Sequence, residues 1–342
     1  MKKNLVTFIV LSVIIVSSFT SQSYTGDSFL NENNLSKQIY LNYLPHEPIS
    51  IVNDENFTDY GFQGTGTEED PFIIENYNIT TLDSISIYIH GTSKYFIIRN
   101  CYLQSECYGM LISSVVNETA SIINNICNNN NNNGIYIHNS HDSRLENNTC
   151  NNNVDGITLE YTWNTTVKNN ICNFNDRYGI QLAETQYINL FNNTFKGNQI
   201  GIRFATDEFG YLVEYHIPSH YCHISYNLLQ ENEEYGIFIS KDDDSTPSMY
   251  NIIHHNRFLD NRIDGFSQAY DEGANNTWYE TKTKEGNWWS NWKKSKPYPI
   301  DGEANSEDPY PLNANLKRIN YGLIALIPSI LLLVIVYIRK KR

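Results

Sequence analysis

The residues best suited to hold a ligand sit at fixed offsets from a quartet, Gly-hydrophobic-x-hydrophobic, that recurs along the chain. Its x position is filled in turn by Tyr88, Leu111, Tyr136, Thr158, Gln181, Arg203 and Phe238. The position two further on holds His90, Ser113, His138, Glu160, Ala183, Ala205 and Ser240. Residues two apart in a strand share a face, so Tyr136, His138, Glu160, Gln181 and Arg203 point the same way. Aromatic faces suit sugar rings, while Gln, Arg and Glu hydrogen-bond hydroxyls. The turn after the quartet adds Tyr161 and Trp163. A long insertion at about residues 207–220 adds Tyr211 and Tyr215 at the same turn. A second insertion, about 241–248, carries Asp242, Asp243 and Asp244, which supply the oxygen ligands Ca²⁺ takes. They equally describe an acidic solvated loop. The columns read either as a binding strip or as a solvated face enriched in aromatics. If the edge is a site, Trp163, Tyr211, Tyr215 and Arg203 should border one groove.

Catalysis has weaker support. Glycosidases commonly use two carboxylates at a set separation. Glu160 and Glu184 lie on neighbouring repeats, but Glu184 falls in the turn. Asp207 and Glu208 are adjacent in an insertion. None of these forms a catalytic motif. His216, His220, His223, His254, His255 and Met249 are candidate copper ligands. Adjacent residues of a strand face opposite ways, so His254 and His255 are not expected to act together. No other cofactor is expected.

The elements that must position these residues follow from the spacing. The quartets at Gly109, Gly134, Gly156, Gly179 and Gly201 are 22 to 25 residues apart, and one at Gly236 follows a 35-residue step. A second block recurs in phase, as in Ile123–Cys127, Leu145–Cys150 and Val167–Cys172. Each repeat thus holds short period-2 strands between turns rich in Asn, Asp, Ser and Gly. One such coil cannot bury its apolar face alone, whereas stacked coils bury a continuous core. Leucine-rich repeats need a signature that is absent, and propeller blades need about 40 residues. The expectation is an all-β, single-stranded right-handed parallel β-helix with terminal caps. Ile135, Ile157, Ile180, Ile202 and Ile237 form an inward column. Asn125, Asn148, Asn170, Asn193, Asn227 and Asn256 share one coil position, where amides can hydrogen-bond up the stack. A second set, Asn152, Asn175, Asn232 and Asn261, is read at a corner, where Asn and Gly tolerate a left-handed backbone. Cys127, Cys150 and Cys172 share an inward column as buried thiols. Cys101 and Cys107 are a candidate disulfide.

The chain has 342 residues and a formal net charge of −14. Nucleic-acid binding rests on Lys and Arg neutralising phosphates, so nucleic acid is not expected as a partner. Met1-Lys2-Lys3 followed by apolar Leu5–Phe19 has the layout of a secretory signal. Tyr321–Ile338 is an apolar run of near-membrane length, and Arg339-Lys340-Lys341-Arg342 follows it. Positive charge stays cytoplasmic. The reading is a single-pass cell-membrane protein with an extracellular body and cytoplasmic C-terminus. Eight Asn-x-Ser/Thr sequons fit that side of the membrane.

Solenoids need caps. The candidates are Gly64-Thr65-Gly66-Thr67-Glu68-Glu69-Asp70-Pro71-Phe72 at one end and Gly286-Asn287-Trp288-Trp289-Ser290-Asn291-Trp292 at the other. With the coils between, residues 51–312 resemble the NosD-like right-handed β-helix proteins of the pectin-lyase-like group. That resemblance implies the fold. For function it implies three classes: copper-site maturation, carbohydrate binding and polysaccharide cleavage.

The domain reading is a signal peptide at 1–23, a linker at 24–50 and an N-terminal cap or first coil at 51–80. Coils follow at 81–270, a Trp-rich cap at 271–313 and a membrane anchor with basic tail at 314–342. The function expected is non-catalytic binding of glycan or a surface protein, with a polysaccharide hydrolase or lyase as the alternative and copper-site maturation third.

Overall fold

Alternating apolar and polar residues drive one side of each short segment out of water, and a coil of three segments closes that side inward. The computed structural model describes residues 43–205, 218–241, 247–262, 267–293 and 296–312. Among them the strands fall on three faces. The first face carries nine strands in coil order, from Ile49–Ile51 through Asn133–His138, Asp155–Glu160, Tyr178–Ala183 and Ile200–Ala205 to Ala269–Asp271. The second carries eight, from Phe72–Glu75 to Ile252–His254. The third runs in two stretches, joined through single bridges at Thr149. Strands on these faces pair in parallel with the strand one coil away. Ile135, Ile157, Ile180, Ile202 and Ile237 stack in register and are fully buried.

Asparagine amides tie the coils at both corners of the third face. The first ladder runs Asn125, Asn148, Asn170, Asn193, Asn227, Asn256, Asn287, with each Nδ2 donating to the next Oδ1 at 2.9–3.0 Å. Each backbone N–H, from Asn125 to Asn256, donates to the same oxygen. The second ladder runs Asn130, Asn153, Asn175, Asn198, Asn232, Asn261 and ends on Gln268. This corrects the reading of Asn175, Asn232 and Asn261, which enter the ladder without a left-handed backbone; Asn152 does take the left-handed corner (φ 56°), and Asn153 holds the ladder position in its coil. The two ladders stay five residues apart in every coil, so the turn after the second one absorbs the change from 23 to 22 residues.

The quartet glycines serve a different need from the one expected. Gly156 has no left-handed backbone, and a Cβ there would meet the Gly179 carbonyl oxygen at 2.5 Å. It permits close approach of stacked corners, whereas the left-handed residues are mostly Asn and Tyr.

The described cysteines carry free thiols, Cys101 and Cys107 included. Burial pushes Cys101 and Cys222 up to about 12, and Cys127 and Cys150 well above the ordinary thiol value. These are packing groups. Cys101 opens the first ladder by donating its backbone N–H to Asn125.

Both ends of the helix differ from the domain boundaries expected. Leu44–Pro45, placed in the linker, and Ile49–Ile51, which crosses the boundary drawn at residue 50, already pair with the strands at Tyr77–Thr80 and Ile85–His90. The short helix Asn56–Asp59 then lays Phe57 flat on Phe72, centroids 4.6 Å apart. At the other end coiling continues into the cap region through Trp288–Trp289. Trp289 stacks between Phe258 and Tyr298, at 4.0 and 3.9 Å. Its indole and the Asn287 backbone N–H both donate to the buried Asp308. Asp271 receives Asn276, the Trp278 indole and Ser306 in the same way. Among the described residues no helix is long and apolar enough to cross a membrane. Leu5–Phe19 and Tyr321–Ile338 lie outside them.

Truncating a ladder amide leaves several buried groups unpaired, each worth roughly 1–3 kcal/mol. Asn170→Ala should lower stability by about 3 kcal/mol in urea titration. Ile171→Ala, one residue on and 41% exposed, should cost about 0.5 kcal/mol or less. Equal losses would show that the ladder does not hold the coils.

Candidate functional site

The outward columns of the first face lie in the register their spacing predicts. Tyr136 pairs with Thr158, Thr158 with Gln181, and Gln181 with Arg203; His138 pairs with Glu160 and Glu160 with Ala183. These side chains point away from the core, yet the strip is not a solvated face. Thr158, Glu160 and Gln181 are only 5–6% exposed. The Tyr136 hydroxyl hydrogen-bonds the Glu160 carboxylate across the strip, and Tyr108 packs beside Tyr136 with centroids 5.7 Å apart. His138 meets the rings of Tyr136 and Tyr161 edge-on.

Polar residues that the quartet alone did not single out complete the strip. The residue before each glycine also points outward, and in successive coils it is Tyr108, Asn133, Asp155 and Tyr178. Asn133 donates to Thr158 Oγ1 at 2.5 Å. Asp155, 1% exposed, receives Arg177 through two bonds of 3.2 and 2.7 Å. Tyr108, Asn133, Tyr136, Asp155, Thr158, Glu160, Arg177 and Gln181 enclose a cavity of about 20 Å³, room for one water. The constant offset from glycine was the signal that would have found Asp155.

Arg203 stands one strand beyond Gln181. Its guanidinium lies over the Phe238 ring at 4.5 Å, and Phe238 stacks on Tyr270 at 4.5 Å. Nε and Nη1 are buried, with no hydrogen-bond partner among the described residues. The strip thus passes from a closed polar segment to a cation backed by aromatics.

The turn leading to the second face is a separate aromatic edge. Trp163, 39% exposed, stacks on His141 of the preceding coil, and burial lowers the His141 imidazole below its ordinary value. Further along, Tyr187, Tyr221 and Tyr250 form an exposed ladder with centroids 5.3 and 5.4 Å apart. Each has a left-handed backbone. Trp163 stacks on the coil before it, and Arg203 lies two coils on. Tyr211, Tyr215, Asp242, Asp243 and Asp244 lie outside the described residues. The flanks of both insertions, at Ala205, Ser219, Lys241 and Ser248, sit at this one edge, where Gln186, His220 and Met249 bridge in sequence.

Residues 60–217 match the family model described as "Right handed beta helix region". The fold is a right-handed parallel β-helix. No curated protein sequence matches the chain. Among solved structures, the β-helix is similar to a double mutant of the periplasmic alginate epimerase AlgG, with 17% identity and a TM-score of 0.39. That match covers 54% of this chain and 49% of that one, so the chain spans about half of that enzyme. It is also similar to the A-module of the Azotobacter vinelandii mannuronan C-5 epimerase AlgE4, with 12% identity and a TM-score of 0.39, over 77% of this chain and 74% of that one. The pectate lyase Pel9A aligns over 80% of this chain and 78% of that one, with 9% identity and a TM-score of 0.31. These likenesses concern the fold.

The Asp155–Arg177 pair tests what holds the strip shut. Removing one partner of a buried pair costs about 3–5 kcal/mol. Arg177 is partly solvated, its side chain 35% exposed, so Arg177→Ala should cost about 2–3 kcal/mol. Adding Asp155→Asn should recover most of that loss in the same melting experiment. No recovery would place the cost elsewhere.

Proposed function

We propose that the chain is a cell-surface β-helix module that binds glycan, and that its binding strip is the outward side of the first face around Gln181 and Arg203. The observation that carries this reading is Arg203. Burying the Nε and Nη1 of a guanidinium without partners is costly, and a ligand that brings a carboxylate together with a hydroxyl would answer them. Phe238 and Tyr270 beside it offer the aromatic packing that sugar rings use. The ligand class that fits is an acidic polysaccharide, whose carboxylates match the fork of an Arg. The closed segment at Tyr136 and Glu160 then forms one wall.

A glycan array that includes uronate polymers, probed with the full chain, tests this. Arg203→Ala should weaken binding at least tenfold while the thermal midpoint barely changes. Equal binding by the variant, or no glycan retained at all, would sink the reading.

One observation favours a second reading, an enzyme of polysaccharide cleavage. The Tyr136 hydroxyl and Glu160 carboxylate form a part-buried hydrogen-bonded pair, an arrangement able to move a proton. A product assay on any array hit separates the two: turnover supports the enzyme, retention without turnover the binding module.

Surface display rests on the terminal apolar segments and the basic tail. Protease added to intact cells should remove the β-helix and leave the C-terminal tail cell-associated. Protection of the β-helix would reject that topology.

A further inference from the structure

The C-terminal third of the second face carries a histidine–carboxylate cluster unrelated to the first-face strip. From its geometry we infer a binding site for a divalent late transition-metal ion, of the Zn²⁺ or Cu²⁺ class, held by His223, His254 and Glu280.

The fold brings these residues together from three coils. His223 opens the strand His223–Ser225, and His254 closes the next strand, Ile252–His254. Ser225 pairs with His254 and His223 with Ile252, so the two imidazoles are diagonal neighbours on one outward face. Their Nε2 atoms are 2.5 Å apart. The third donor comes from a tight hairpin in the last coil, where Glu280 and Glu285 pair antiparallel. The Glu280 carboxylate lies 3.7 Å from His254 Nε2. All three donor atoms fall within 4.8 Å of one another.

A second layer orients the first. The alternation of a strand predicted that His254 and His255 would face apart, and the structure corrects this. His255 has left the strand with φ 56°, which swings its ring back until its Nδ1 lies 2.5 Å from His254 Nδ1. Its Nε2 meets the Glu285 carboxylate at 3.0 Å. Tyr226 stacks on it at 4.8 Å.

One arrangement of protons along this chain leaves a lone pair for a metal at the centre of the cluster. In the tautomer that carries its proton on Nε2, His255 donates to Glu285 and offers a lone pair at Nδ1. His254 donates its Nδ1–H to that lone pair. His254 Nε2 is then a bare lone pair aimed at His223 Nε2 and Glu280. Second-layer bonding of this kind fixes the tautomer of metal-bound histidines. Two imidazole nitrogens and one carboxylate suit Zn²⁺ with a water in the fourth position, and imidazole suits copper as well. Nitrogen donors disfavour Ca²⁺ and Mg²⁺, which take oxygen. Tetrahedral coordination at bonds of about 2.0 Å puts two ligand nitrogens about 3.3 Å apart. The imidazoles therefore need to open by less than about 1 Å. The competing arrangement is metal-free, with His223 donating an Nε2–H to His254.

Calorimetric titration of the metal-stripped full-length chain in detergent with Zn²⁺, Cu²⁺, Ca²⁺ and Mg²⁺ separately decides between these. The expected result is one Zn²⁺ or Cu²⁺ per chain, no competing Ca²⁺ or Mg²⁺, and a raised thermal midpoint on loading. His223→Ala and Glu280→Gln should each weaken that affinity by at least about tenfold, and His255→Ala by about 10–100-fold, as for a lost second-layer bond. His220→Ala, outside the cluster, should leave it unchanged. His254 is buried, so the readout rests on His223 and Glu280, whose metal-free melting should match the parent chain. No binding, preference for Ca²⁺, or affinity untouched by both His223→Ala and Glu280→Gln would overturn the site and establish the metal-free hydrogen bond. A glycan result either way leaves this outcome independent.

Discussion

A buried amide must find its partner one coil away, and that single requirement organises the molecule. Each ladder asparagine both receives the backbone and side-chain N–H of the coil before and donates to the coil after. A slip of one residue would break every such bond and turn apolar side chains outward. The ladders also flank the third face at a constant distance, so that face is the rigid part of each coil. Variation in coil length is confined to the turns elsewhere. That is why both long insertions leave and return at the first-to-second-face turn, where no amide ladder of comparable length has to be kept in step.

The same register makes the surface periodic. Because inward residues stack, outward residues stack too, and a column of side chains on the outside becomes a readable line along the axis. Polar groups on that line need not be wet. Glu160 and Gln181 are covered because neighbours in the adjacent coils are large and only one strand spacing away. Outward direction and solvent exposure are therefore different properties in a solenoid.

This separates what the sequence could disclose from what it could not. The repeat, the inward Ile column, the first Asn ladder and both outward columns depend on period alone, and they were legible. Asn152 was grouped with Asn175, Asn232 and Asn261, which belong with Asn153, because glycine was the ruler, and glycine sits beyond the turn that varies. The strands at Leu44 and Ile49 escaped notice because the first coil lacks a quartet. The His254–His255 pair defeated the alternation rule because His255 is no longer in the strand. Left-handed residues end strands in every coil, and the commonest is Asn, which announces itself. Tyr187, Tyr221, Tyr250 and His255 occupy the same kind of backbone without a residue type that signals it. The hairpin that carries Glu280 to the histidines has no periodic signature at all.

The ladders also have a direction, and the direction explains the C-terminal cap. Each ladder backbone N–H and one amide hydrogen point toward the following coil, while the second amide hydrogen returns to a carbonyl of the coil before, so the last coil is left with a backbone donor and no further asparagine to take it. The second ladder ends on the amide of Gln268, whose own donors must then find Ser290 and Asn291. A carboxylate only accepts. Asp308 takes the Asn287 N–H at the end of the first ladder. Asp271 takes Asn276 at the end of a parallel row that runs through Asn251. Burial raises the Asp308 carboxyl above its ordinary range, opposed by the bonds from Asn287, Trp289 and Tyr310. The tryptophans fit the same logic. Trp278 and Trp289 each cover apolar core with the ring and direct the indole N–H at one of the two aspartates. The Trp-rich ending is thus the form in which an open apolar end and an excess of donors are closed by the same few residues.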